Sequence, residues 1–179
     1  MKKKNGASWQ GLTKENALRL LIVNAILAAL YVVITLAIAP LSYGPIQFRF
    51  AELLTWTAWL NPYCVPGVTI GCFLANIGSP FGIVDMIFGT AGTLFTCVMM
   101  SRSRHILVAA IWPTVGILFV GLEFVVLGGW QAAFILETLQ IMLSEFLLTA
   151  VIGAPLIRAI YKHPLVLKLR KIGFSTIRG

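Results

Sequence analysis

The chain has 179 residues, of which 59% are hydrophobic and 11% charged, and its mean hydropathy is +0.91. Those values exclude a soluble domain and place the chain among integral membrane proteins. Its formal charge of +8 comes from 14 basic and 6 acidic residues, grouped in a way that reads as a topogenic signal with some attraction to anionic lipid and not as a nucleic-acid surface.

The first apolar segment runs from about Leu18 to Ala39 and is stopped by Pro40. Lys2, Lys3 and Lys4 ahead of it and the Ala37-Ile38-Ala39 triplet imitate a secretory signal. The apolar run is too long for one, however, and Pro40 follows the supposed cleavage point, so a retained first helix is expected. A polar-aromatic loop comes next. The uncharged stretch from Leu53 to Val84 is broken by Asn61-Pro62 and Pro66-Gly67, which predicts two short helices, about Phe48 to Leu60 and Val65 to Ile77. After the turn Gly78-Ser79-Pro80-Phe81-Gly82, a fourth helix is predicted over about Val84 to Ser101, a fifth over His105 to Leu127 and a sixth over Trp130 to Tyr161. The predicted class is therefore all-α, an integral membrane six-helix bundle. It has an N-terminal segment 1–17, a transmembrane domain 18–161 and a basic tail 162–179.

Basic residues collect on the cytoplasmic side of short loops. With six spans, three groups fall on one face: Lys2, Lys3, Lys4, Lys14 and Arg19; Arg102 and Arg104; and Arg158, Lys162, Lys168, Arg170, Lys171 and Arg178. Both termini are thus expected to be cytoplasmic, and Arg49 is the one basic residue outside these groups. The same topology puts Arg49, Glu52, Asp85, Glu123 and Glu137 in the outer half of the bundle and Glu145 nearer the midplane.

Ionisable groups at such depths are costly and face a bundle interior or a wet cavity. An i, i+3 salt bridge between Arg49 and Glu52 is the simplest structural expectation. One arginine cannot neutralise Glu52, Asp85, Glu123, Glu137 and Glu145 together, so the cavity carries surplus acceptors suited to a cation or an N–H-rich ligand. Asp85, Gly89, Thr93 and Thr96 share one predicted stripe, and Glu137, Gln140 and Ser144 another. Tyr43, Phe48, Phe81, Trp130 and Phe134 are available near the outer ends, either as a stacking wall or as an interfacial aromatic belt.

Catalysis has little support. His105 and His163 fall at the opposite ends of their helices from the acidic groups, and there is no metal-ligand spacing. The cysteines Cys64, Cys72 and Cys97 have no C-x-x-C spacing and read as buried free thiols. No phosphate-binding G-x-x-x-x-G-K-[ST] run occurs, so an energy-coupling ATPase would be a separate chain. Small-residue pairs, Ala25 with Ala29 and Gly67 with Gly71, permit close helix approach, either inside the bundle or to a partner.

The string Ser42 to Glu52, then Gly71-Cys72-Phe73-Leu74-Ala75-Asn76 and Asp85-Met86-Ile87-Phe88-Gly89-Thr90, resembles the QueT family of substrate-binding S components of energy-coupling factor (ECF) transporters. The resemblance covers most of the chain from about Leu18 to Tyr161. It implies capture of a queuosine precursor, a deazaguanine base, at the outer face of a prokaryotic plasma membrane, with no cofactor in this chain. It also implies a partner T component that contacts Ala25 and Ala29 and is driven by two ATPase subunits. Gln47, Arg49, Glu52, Asn76 and Asp85 match the family's polar motifs; Gly121-x-Glu123 and Glu145 match more weakly, with Ser144 where glycine commonly precedes the last glutamate. Together with the residues' own chemistry, the candidate substrate contacts are Tyr43, Gln47, Arg49, Glu52, Asn76, Asp85, Glu123, Trp130, Glu137 and Glu145. The candidate partner contacts are Ala25, Ala29, Gly67 and Gly71. Two alternatives remain: an S component for another purine or vitamin, and a self-sufficient oligomeric carrier for a cation.

Overall fold

The computed structural model describes residues 14–44, 47–129 and 131–172. Within them the chain is helical, with no strand. Helix α1 spans Lys14–Ala37 and is followed by the single turn α2, Ala39–Ser42, which has Pro40 in its first turn. A 3₁₀ segment, Phe50–Leu54, leads into α3, Thr55–Leu60. Asn61 ends α3 in extended geometry, and its side chain then accepts from the Tyr63 N–H to start the next run, which passes through α4, Val65–Ala75, to Gly78. The long helix α5 spans Ile83–Arg102.

The fifth predicted helix is interrupted. It is built as α6, Ile106–Gly116, and α7, Leu118–Gly128, hinged at Ile117. Pro113 inside α6 lacks the N–H that would bond back to Ala109 O, and four residues further on the chain tightens at Ile117, whose N–H bonds to Thr114 O at 3.3 Å. The sixth is divided too: α8, Ala132–Glu145, passes into a π-helical stretch, Phe146–Gly153, and then α9, Ala154–Ile160. The tail holds one further helix, α10, Pro164–Lys171.

Four helical runs are long and apolar enough to cross a membrane: Lys14–Ala37, Ile83–Arg102, Ile106–Gly128 and Ala133–Ile160; Pro62–Gly78 is a shorter apolar run. No more than 44% of any of the four is buried within the protein. Large side chains such as Leu21, Val33, Leu122 and Ile135 are exposed along them, as expected of helices whose outer faces meet lipid.

Helix α5 is the hub, packing against α3, α4, α6 and α7, while α1 packs mainly against α4. The α1–α4 seam needs glycine. A Cβ on Gly71 would lie 2.7 Å from Tyr31 Cβ and 2.9 Å from Ala28 Cα, and one on Gly67 would lie 2.7 Å from Asn24 Cα. At Gly67 the approach is used for hydrogen bonding: Asn24 Oδ1 accepts from the Gly67 N–H at 2.6 Å, and Asn24 Nδ2 donates to Leu20 O and Tyr63 O. Gly67 and Gly71, expected among the partner contacts, are thus consumed inside the bundle, because only hydrogen fits where two helix backbones come this close. Ala25 and Ala29 lie on the exposed side of α1.

One end of the bundle carries residues 43–44 and 47–49 and the turn at 78–82. At the other, the buried Asn61 side chain donates to Leu169 O and Ile172 O of α10, and Arg170 lies 4.2 Å from the Tyr161 ring. The start of α1, Arg102, Arg104 and α10 share this second end. Among the described residues, Arg49 alone of the basic residues falls at the first. Lys2, Lys3, Lys4 and Arg178 lie outside the described residues.

Candidate functional site

The site forms where the loop after α1 folds over the first end of α5. Its backbone is set by a few short-range bonds: Gln47 N–H to Gly44 O, Arg49 N–H to Gln47 O, and Glu52 N–H to Arg49 O. Gln47 has φ +45°, a left-handed conformation uncommon for a residue with a side chain. Its carbonyl accepts from Ser144 Oγ at 3.5 Å, which ties the loop to α8. Tyr43 donates its hydroxyl to Ala75 O, and the Arg49 guanidinium lies 5.5 Å from the Tyr43 ring centroid. Burial raises the Tyr43 hydroxyl above its ordinary pKa, against the pull of Arg49, so it remains a donor.

Arg49 pairs with Asp85 of α5, Nη2 to Oδ2 at 3.9 Å. The i, i+3 bridge to Glu52 is not formed. Arg49 precedes the 3₁₀ segment at φ −95°, ψ 87°, so the helical geometry that would stack positions 49 and 52 is absent. Glu52 is instead held by the hydroxyls of Tyr31 and Thr93, both donating to Oε1, the latter at 3.4 Å. Thr93 also reaches Cys72 Sγ at 3.2 Å. Cys64, Cys72 and Cys97 are buried and free. Asn76 Nδ2 donates to Asp85 O at 3.1 Å, and Gly89 leaves room for this, since a Cβ there would lie 2.7 Å from both Asn76 Nδ2 and Asp85 Oδ1.

Arg49, Glu52, Asp85, Glu123 and Glu145 are each between 1% and 8% exposed. Glu123 lies within electrostatic reach of Asp85 and Arg49, and Glu145 of Glu52 and Arg49. One guanidinium therefore serves four carboxyl groups. Several buried polar atoms here have no hydrogen-bond partner among the described residues: Arg49 Nε and Nη2, Asn76 Oδ1, Asp85 Oδ2, both oxygens of Glu123 and Glu145 Oε1. Buried polar atoms are ordinarily satisfied, so such a concentration marks a place built for something else to bond.

Gln47, Arg49, Glu52, Thr93, Thr96 and Glu145 line a cavity together with the hinge residues Pro113, Gly116 and Ile117. It measures ≈ 30 Å³, room for a water or so and too little for a bicyclic base. The break at Ile117 and the π-helical stretch that begins just after Glu145 both border this site, which is where such irregular turns concentrate.

The predicted stripe of Asp85, Gly89, Thr93 and Thr96 is buried as a unit. The stripe of Glu137, Gln140 and Ser144 is not: Gln140 is exposed, Glu137 is half-buried and outside the cavity lining, and the buried line of this helix runs through Ile141, Ser144, Glu145 and Leu148. Trp130 lies outside the described residues. Phe81 and Phe134 flank Phe124, with centroids 5.9 Å and 5.5 Å away. Tyr31 and Asn24 were not singled out by sequence reasoning. Their signal was their spacing, since Asn24, Tyr31 and Thr35 recur at seven and four residues and so share one face of an otherwise apolar helix.

The QueT transporter family model matches residues 21–162, which include the whole site. The chain belongs to the QueT transporter family. A curated QueT relative, the queuosine precursor transporter of Lactococcus lactis subsp. cremoris (strain MG1363), is 46% identical over 76 residues, 41% of this chain and 44% of the relative. The match thus spans under half the length of that QueT protein. No solved structure matches the chain. The family is described as one of transporters, and the apolar helices suit a membrane protein.

Proposed function

We propose that the chain is the substrate-capture component of an ECF-type importer, a six-span protein with both termini cytoplasmic that binds a queuosine precursor from the outside of a bacterial plasma membrane. The observation that carries this reading is the surplus of unpartnered buried acceptors around a single arginine. A deazaguanine presents adjacent ring N–H and amino donors, which a carboxylate accepts as two parallel bonds, and a ring carbonyl, which the free Arg49 N–H groups can meet. The relative named as a queuosine precursor transporter supports the same ligand.

Because the closed cavity measures only ≈ 30 Å³, the segment 47–49 acts as a lid that must withdraw to admit the base. The left-handed Gln47 and the long Ser144 bond are the points at which it yields.

Titration of the purified protein with purine and deazapurine bases tests the ligand. Asp85→Asn and Glu52→Gln are each expected to weaken deazaguanine binding by about tenfold or more, because an amide offers a donor where the guest also donates. Unchanged affinity in both variants would remove these carboxylates as contacts.

Energy coupling would come from a T component and two ATPase subunits. The exposure of Ala25 and Ala29 supports a partner on that face, since nothing within the described bundle covers them. Ala25→Trp should bind ligand with near wild-type affinity yet fail in uptake by the reconstituted complex. Uptake by the purified chain alone, without ATP, would replace this reading with that of a self-sufficient carrier.

A further inference from the structure

Glu123 has no partner in the arrangement described so far. It belongs to a stripe of α6 and α7 formed by Gly116, Val120 and Glu123, at i, i+4 and i+7, and the first two of these line the cavity. Its side chain is 1% exposed and neither carboxylate oxygen has a hydrogen-bond partner among the described residues. The charged groups within its reach are Asp85 and Arg49, and Arg49 is already paired with Asp85 while also facing Glu52 and Glu145. Phe124 stacks on Phe134 with an interplanar angle of 12° and meets Phe81 edge-on. A carboxylate kept only for packing would be held by hydrogen bonds, as Glu52 is by Tyr31 and Thr93.

We propose that Glu123 is the counter-ion for a primary ammonium group on the guest, and so sets a preference for a cationic over an uncharged deazaguanine. This rests on the reading of the site as a deazaguanine pocket. The base edge takes the Arg49, Glu52 and Glu145 wall, and the substituent extends along α7 toward Glu123. An ammonium carries three donors; the two Glu123 oxygens have no hydrogen-bond partner among the described residues and can accept from it, with Asp85 Oδ2, ion-paired to Arg49 at 3.9 Å, as a further acceptor.

The test uses two 7-deazaguanines that differ in one substituent, aminomethyl or cyano, titrated into the purified full chain. Wild-type protein should bind the aminomethyl compound ~10- to 100-fold more tightly, the worth of a hydrogen bond to a charged group. Glu123→Gln should erase most of that difference by weakening the aminomethyl compound, while the cyano compound stays within about threefold. Equal wild-type affinity for the two compounds overturns the proposal without any variant, and so does an equal loss of both in a folded Glu123→Gln protein. Binding of the cyano compound alone also overturns it but leaves the deazaguanine reading intact. Binding of neither by the wild type overturns both.

Discussion

Arg49→Leu is expected to destabilise the protein by about 3–5 kcal/mol, the cost of removing one partner of a buried ion pair. The magnitude follows from what is left behind. Asp85, Glu52, Glu123 and Glu145 are buried around a single guanidinium, and none of the described basic side chains other than Arg49 is at that end of the bundle to take its place. Ligand binding should be lost with stability, since Arg49 is the charged donor of the site and its Nε and Nη2 have no hydrogen-bond partner among the described residues. Thermal unfolding in detergent measures the first effect. The double variant Arg49→Leu/Asp85→Asn should recover part of the lost stability without recovering binding, because the orphaned Asp85 charge is removed while the donors stay absent. An Arg49→Leu protein with wild-type stability would show that Arg49 is not the electrostatic centre of this cluster.

Gly71→Leu should fail to fold, and Gly71→Ala should cost about 1–3 kcal/mol by overpacking. The methyl of alanine would already sit 2.7 Å from Tyr31 Cβ and 2.9 Å from Ala28 Cα, so α1 and α4 must separate to admit it. Tyr31 is also the donor that holds Glu52, and moving α1 outward pulls that hydroxyl from the site. The alanine variant should therefore bind ligand more weakly as well as melt earlier. Size-exclusion profiles and melting curves of the two variants decide the matter. A stable Gly71→Leu protein that binds normally but cannot be energised would return Gly71 to the partner-facing surface. Ala25→Trp supplies the contrast, since its added bulk projects outward from the bundle.

Much of the site was legible before any coordinates because a bilayer penalises charge so heavily. Arg49, Glu52, Asp85, Glu123 and Glu145 stand out in an apolar chain, and the stripe Asp85, Gly89, Thr93 and Thr96 follows from helical periodicity along a regular helix. Pairing was harder. The choice of Asp85 over Glu52 as the partner of Arg49 depends on a non-helical residue at position 49, which no periodic pattern announces. The stripe containing Glu137 and Gln140 was misplaced because the phase of α8 is fixed by its packing on α6 and α7, and periodicity gives a repeat without saying which side faces inward.

The sequence by itself determined the membrane class, the all-helical character, the end of the bundle at which charge gathers and the kinship of the chain. These are properties of composition, spacing and motif that each stretch carries locally. Only the tertiary structure decided that Gly67 and Gly71 are spent on the α1–α4 seam, that Tyr31 and Thr93 hold Glu52, and that Glu123 and Glu145 keep oxygens with no hydrogen-bond partner among the described residues. Those outcomes depend on which atoms from distant segments come within bonding distance, and that is set by helix phase and crossing, which neighbouring residues along the chain do not specify.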